Sequence, residues 1–188
     1  RVFSRDELKQ AELRDRLQGD VRFLLGDVRD KERLRWALRG CDLVIHAAAL
    51  KRVDACEHDP LECVQTNVAG TANVLAAAVD DGVARGILLS SDKAVHPVNT
   101  YGASKLLAEK LWLGGNVYGK PNSRFSVVRY GNIRGSRGSL VEKAAQGTIL
   151  LRNPDATRFW LNQEQAVSLV LTASDEMAGG EVYVPKLG

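Results

Sequence analysis

The sequence predicts an α/β fold, a Rossmann-like doubly wound parallel sheet. Short apolar runs alternate with stretches of helical periodicity. The alternation repeats at regular intervals, which favours parallel strands joined by crossover helices. The polar residues with chemistry to offer fall just after the apolar runs, where ligands bind in such sheets.

Each element follows in order. Arg1-Val2-Phe3 reads as the end of a strand, and Asp6 to Leu17 as a charged amphipathic helix. Val21 to Leu25 reads as a strand and Lys31 to Leu38 as a helix. Leu43 to His46 (LVIH) is a strand that runs into the small-residue turn Ala47-Ala48-Ala49. Pro60 to Val79 reads as one long helix, with Pro60 suited to its first turn. Gly86 to Ser90 (GILLS) is a buried strand, Tyr101 to Leu113 a helix, and Phe125 to Tyr130 (FSVVRY) a strand. There is no sequence repeat and no low-complexity tract.

The chain has 188 residues, enough for one domain with a real core. Hydrophobic content of 45% and charged content of 26% are ordinary for a globular protein. The net charge is +3, without a dense Lys/Arg block, so nucleic-acid binding is not indicated. No apolar run approaches a membrane span, and no signal peptide is visible. The three cysteines, Cys41, Cys56 and Cys63, form no C-x-x-C pair. Buried thiols in a reducing cytoplasm are expected, and no metal site. His46 reads as a strand-end residue rather than a catalyst, and Trp36, Trp112 and Trp160 as core.

The chemistry concentrates after the GILLS strand. Ser91, Asp92 and Lys93 follow it, and Tyr101 and Lys105 stand on the next helix. Positions i and i+4 share a helix face, so Lys105 lies beside Tyr101. A lysine beside a phenol stabilises the phenolate and lowers its pKa. Tyr101 is thereby a candidate acid–base group for an alcohol proton, and Ser91 could hydrogen-bond the same oxygen. A lone Y-x-x-x-K also occurs on surface helix faces. Here it is the one such match among the four tyrosines, and it follows a strand that ends in serines.

A dinucleotide fold needs a Gly-rich turn between its first strand and first helix. None precedes Arg1, so the chain is expected to start at what is usually the second strand. The glycines Gly131, Gly135 and Gly138 come too late for that role. The second strand of such folds carries an acid that grips the ribose of NAD, or an arginine that accommodates the extra phosphate of NADP. Ser4-Arg5 sits there and favours NADP; a helix N-cap serine with a solvated arginine is the alternative.

These residues resemble the extended short-chain dehydrogenase/reductases. More narrowly, the chain is similar to the configuration-inverting UDP-N-acetylglucosamine 4,6-dehydratases of pseudaminic acid biosynthesis, within the polysaccharide biosynthesis protein family. The likeness rests on SRDELKQ (4–10), GDVRD (26–30), HAAALKRV (46–53), DPLECVQTNVAGTANV (59–74), LSSDKAVHPVNTYGASK (89–105), FSVVRYGNIRGSRGS (125–139), TRFW (157–160) and GGEVYVPK (179–186). It covers nearly the whole chain.

The resemblance implies a lyase using NADP on a UDP-sugar, and a homo-oligomer. Residues 1–135 would form the cofactor-binding domain, incomplete at its start, and 136–188 a partial substrate-binding segment packed on it. Tyr101 would take the proton of the sugar 4-hydroxyl, Lys105 would tune it, and Ser91 would orient the oxygen. Lys93 would be the base at C5 and Asp92 the acid for the departing 6-hydroxyl. Lys93 must then be neutral and Asp92 protonated, which an ordinary ion pair between them would oppose. Ser4, Arg5, Asp6, Lys9, Asp27, Val28, Ala47, Lys51, Asn67, Tyr101 and Lys105 would line the cofactor. Lys51, Asn132, Arg137 and Arg158 would touch the substrate, the arginines suiting a diphosphate. A nucleotide-sugar 4-epimerase shares Ser91, Tyr101 and Lys105 but needs no acid–base pair to expel water. A truncated, non-catalytic relative is the remaining alternative.

Overall fold

The structure, a computed structural model, describes residues 1–135, 147, 155 and 157–187. The first half runs β1 (Val2–Ser4), α1 (Glu7–Arg16), β2 (Phe23–Leu25), α2 (Lys31–Leu38), β3 (Leu43–His46), α3 (Val53–His58), α4 (Pro60–Val64) and α5 (Gly70–Asp81). The second runs β4 (Arg85–Ser91), α6 (Thr100–Tyr118), β5 (Arg124–Tyr130), β6 (Asn132–Ile133), β7 (Trp160–Leu161), α7 (Gln163–Glu176) and β8 (Val182–Tyr183). Every described strand pairing is parallel, as the alternating pattern predicts.

The fold is Rossmann-like. The strands form three ladders rather than one: β1-β2, β3-β4-β5-β8 and β6-β7. In a Rossmann order another strand stands between the two that correspond to β1 and β3. Here β1 and β3 share a core without a ladder between them. Phe3 and Val44 both pack on the cluster built by Leu34 and Leu38 of α2, Val74 and Leu75 of α5, and Trp112 of α6.

Side chains alternate across β4 and β5, and the core is layered accordingly. Leu88 and Val127 face α5 and α6, whereas Ile87 and Val128 face Val170, Ala173 and Met177 at α7. Trp112 meets Phe125 edge-on at 5.5 Å. Trp36, expected in the core, is instead 68% exposed beneath the Arg39 guanidinium.

Helix starts follow sequence. Asp6, Asp30, Asp59 and Asn99 each accept the amide three residues on, and Asn162 and Gln165 form a reciprocal capping box. Gly82 ends α5 in the left-handed region at φ 71. The long helix expected from Pro60 is interrupted: a π-helical turn, Gln65–Ala69, separates α4 from α5. An extra residue in a helical turn carries no periodicity signal, so sequence could not show it.

Candidate active site

The site forms where β4 hands over to α6. Ser91, the last residue of β4, caps a single 3₁₀ turn, Asp92–Ala94, by accepting the Lys93 amide at 3.3 Å. Asn99 then starts α6. Gly102 lets the helix begin hard against that turn, because a Cβ there would strike the Lys93 carbonyl oxygen. Five expected catalytic residues thus meet: Ser91, Asp92 and Lys93 from the turn, Tyr101 and Lys105 from the helix.

Their contacts form a chain. The Tyr101 phenol lies close enough to the Ser91 side chain for Ser91 to act to lower its pKa. The Ser91 hydroxyl donates to Asp92 Oδ1 at 3.0 Å. Lys93 Nζ donates to the same oxygen at 3.0 Å and to Asn132 Oδ1 at 3.3 Å. Asp92 and Lys93 are therefore an ion pair, the arrangement that opposes the neutral-lysine, protonated-aspartate state.

The expected tuning of Tyr101 is not what the geometry shows. Burial pushes the phenol up to about 12, which outweighs the lowering by Ser91; Tyr130, Asp92 and Cys56 push the same way. Lys105 does not offset this, because its Nζ donates to the Leu89 carbonyl at 2.6 Å. Burial also lowers Lys105, to about 8, against the raising effect of Glu109. The i,i+4 spacing put the two on one face correctly, but a face does not decide where a long side chain ends.

A buried polar network supports the site. The π-helical turn carries Asn67, whose side chain accepts the Leu50 amide at 2.8 Å and donates to the Leu50 carbonyl and the Ser104 hydroxyl, both at 3.0 Å. Ser104 donates to the Tyr101 carbonyl at 2.7 Å. Asn67 so ties the strand-end loop to the first turn of α6. His46 ends β3 nearby, 3.0 Å from Thr71 Oγ1, and burial drives its pKa down to about 3. Cys56 and Cys63 pack against Tyr101 as free buried thiols, and burial takes Cys56 up to about 12.

The expected cofactor residues divide. Arg5 and Asp27, at the ends of β1 and β2, pair at 3.2 Å, and Arg29 holds the same carboxylate at 2.8 Å. Burial acts to raise Asp27, but the hydrogen bonds of Arg29 and the charge of Arg5 win and lower it. Ser4 Oγ accepts the Asp6 amide, and Asp6 is the N-cap that accepts Lys9 N; neither Ser4 nor Asp6 faces a ligand unspent. The Val28 side chain packs in the core, against Gly70. Ala47 is exposed in the turn after β3, with Lys51 exposed four residues on. This donor set fits a dinucleotide: paired guanidinium and carboxylate at two strand ends, a small-residue turn at the third, and a buried ammonium at the fourth.

Of the expected substrate residues, Asn132 joins the site through Lys93, whereas Arg158 donates to the neighbouring Thr157 carbonyl at 2.6 Å. Arg137 lies outside the described residues. Sequence reading missed Tyr130, Glu109 and Arg129. Glu109 was findable, because Tyr101, Lys105 and Glu109 recur at i, i+4 and i+8 on one face. Arg129 and Tyr130 needed the register of β5 on β4, which sets them opposite Ser90 and Ser91.

A phenol, a hydroxyl and an acid–base pair at the carboxyl ends of parallel strands can together move the protons of an alcohol and of its neighbouring carbons, provided a cofactor accepts the hydride. The chain is 47% identical to a UDP-N-acetylglucosamine 4,6-dehydratase (inverting) of Campylobacter jejuni, covering 99% of this chain and 58% of the relative. It is 45% identical to an uncharacterized membrane protein of Methanocaldococcus jannaschii, covering 100% of this chain and 58% of the relative. It is 42% identical to a UDP-glucose 4-epimerase of Rickettsia akari, covering 99% and 57%. Among solved structures, Pen from Bacillus thuringiensis matches with a TM-score of 0.93 at 36% identity, over 98% of this chain and 59% of that one. DesIV, a dTDP-glucose 4,6-dehydratase from Streptomyces venezuelae solved with NAD and TYD bound, matches with a TM-score of 0.79 at 25% identity, over 93% and 61%. The chain thus spans less than two thirds of these relatives. No described helix is long and apolar enough to cross a membrane. The polysaccharide biosynthesis protein family matches residues 1–188, and the chain belongs to it.

Proposed function

We propose that the protein is a nucleotide-sugar 4,6-dehydratase that acts on UDP-N-acetylglucosamine with NADP and inverts C5. The observation that carries this reading is the Asp92–Lys93 turn, linked through Ser91 to Tyr101. An epimerase needs the phenol and the hydroxyl but has no use for an acid–base pair that expels water. The Campylobacter relative's name supports the same substrate. DesIV carries NAD, so the nicotinamide class has support from a neighbour. Arg5, with its side chain 53% exposed at the end of β1, is the feature that favours NADP.

When bound, a nicotinamide cofactor would supply the acceptor for the C4 hydride and the source of the hydride regained at C6. The chain's residues move the protons. Tyr101 accepts the 4-hydroxyl proton, with Ser91 holding the oxygen. For that the phenol must fall from about 12, and the cation one turn away, Lys105, is the group able to lower it. The 4-ketone acidifies C5, Lys93 removes that proton, and Asp92 protonates the leaving 6-hydroxyl. Breaking the Asp92–Lys93 pair is the step substrate must drive, and Asn132 offers Lys93 an alternative partner.

The test is incubation with UDP-N-acetylglucosamine and NADP in heavy water, followed by NMR. A 6-deoxy-4-keto product with deuterium at C5 is expected, and K93M should abolish that exchange in a folded protein. A C4 epimer without solvent deuterium would establish the epimerase reading, which the Rickettsia relative's name favours.

A further inference from the structure

Glu109 is a charged side chain, 2% exposed, that the proposed reaction does not use. It accepts from Arg129 Nε at 2.8 Å, from Arg129 Nη2 and from the Ser90 hydroxyl. A buried carboxylate is tolerated only when so completely satisfied. One account is purely structural, an ion pair that ties α6 to β5. Its location says more.

Ser90 lies between Leu89, whose carbonyl holds Lys105, and Ser91, whose side chain bonds Asp92 and acts to lower the pKa of Tyr101. Glu109 thus grips the strand at the residue between the two catalytic attachments. It also stands four residues after Lys105 on one helix face. The Lys105 ammonium is 4% exposed, and the one acceptor it has among the described hydrogen bonds is a neutral carbonyl.

The other elements packed on α6 bring little compensating negative charge to Lys105. From β5 come Arg129, cationic, and Tyr130, a neutral phenol. The turn after β4 brings Asp92, bound to Lys93. From β3 comes His46, neutral by burial. The segment from α3 to α5 brings Cys56 and Cys63, buried thiols, and Glu57, which is spent on the Thr100 amide at the other end of the helix.

We propose that Glu109 is a positioning residue: its carboxylate sustains the charge of buried Lys105, and through Ser90 it fixes the strand segment that Lys105 and Tyr101 use. Arg129 sets how much of that carboxylate Lys105 feels. This rests on reading Lys105 as the group that tunes Tyr101. Without Glu109, Lys105 would carry its charge for a smaller part of the time near neutral pH, and its pull on the phenol would weaken accordingly.

The experiment is a titration of the lysine side chains by NMR in the isotope-labelled 188-residue chain, with K105M used to assign the signal. Wild-type Lys105 should titrate near 8. In E109Q the midpoint should fall by about one pH unit or more. R129Q should move it the opposite way, a pair of signs that a merely structural role would not produce. If E109Q fails to fold, E109Q/R129Q keeps neutral hydrogen-bonding groups on both sides, and its midpoint should lie below that of R129Q. An unmoved Lys105 in E109Q, or equal midpoints in E109Q/R129Q and R129Q, overturns the proposal. That outcome would leave the dehydratase reading standing, and an epimeric product in heavy water would leave this titration standing.

Discussion

At the scale of single residues, burial outweighs partners at His46, Tyr101, Lys105 and Cys56, whereas partners win at Asp27. His46 shows this clearly. Thr71 donates its hydroxyl proton to the Asn67 carbonyl at 2.6 Å, so at 3.0 Å from His46 it must accept, and the imidazole is neutral with its proton on Nε2. Its folded pKa, about 3, lies below the ordinary 6.5. The unfolded chain therefore binds this proton first as pH falls, and stability drops from about 6.5 down toward 3. H46Q keeps a donor for Thr71 and cannot titrate. Its midpoint in denaturant should fall less between pH 7 and 4 than that of the wild type; equal falls would mean that His46 is charged in the fold. Tyr101 makes a different demand. Its ring packs on Cys56 and Cys63 and its hydroxyl serves the site. Y101F should keep the thermal midpoint within a few degrees while turnover drops by roughly 100-fold or more.

At the scale of elements, placement depends on how closely α6 meets the turn after β4. Gly102 permits that approach, and G102A sets a methyl group against the Lys93 carbonyl. The helix start or the turn must give way, which moves Tyr101 relative to Lys93. Because the change falls at the site, G102A should cost far more in turnover than in stability. Chemical denaturation alongside a turnover assay separates the two, and full activity would show that the turn yields harmlessly. Sequence made the turn and the helix legible: serines closing an apolar run, and Tyr101 and Lys105 four apart. It could not show the side-chain endpoints. Lys105 goes to a backbone carbonyl, which no sequence spacing encodes. Nor could it show the π-helical turn that aims Asn67 at Leu50 and Ser104, since tertiary contacts select it. N67A would leave the part-buried Leu50 amide without its acceptor, at a cost of about 1–3 kcal/mol of unfolding free energy measured by chemical denaturation.

At the scale of the whole chain, the two main ladders share a core, and among the described residues no pairing joins them into one sheet. β4 is paired on both edges, by β3 and β5, and β5 by β4 and β8. Both bury side chains on two faces, Leu88 and Val127 toward α5 and α6, Ile87 and Val128 toward α7. β1 and β2 pair only with each other over three residues. They are held to the rest by Phe3 in the shared core and by Arg1, which donates to the Ala37 carbonyl at 2.9 Å. Local opening in such an architecture needs only the loss of a short ladder, whereas opening β4 requires dismantling both core clusters. The chemistry rides on β4, the most enclosed strand, while Arg5 and Asp27 ride on the less enclosed layer. Hydrogen exchange should therefore be slowest at Ile87, Leu88, Val127 and Val128, near the global unfolding limit, and faster by orders of magnitude at Val2–Ser4 and Phe23–Leu25. A nucleotide that engages Arg5 must slow exchange in β1 and β2 while leaving β4 almost unchanged, because only the weaker layer has protection to gain. Equal protection in both ladders without ligand would mean that the shared core already welds them into one cooperative unit.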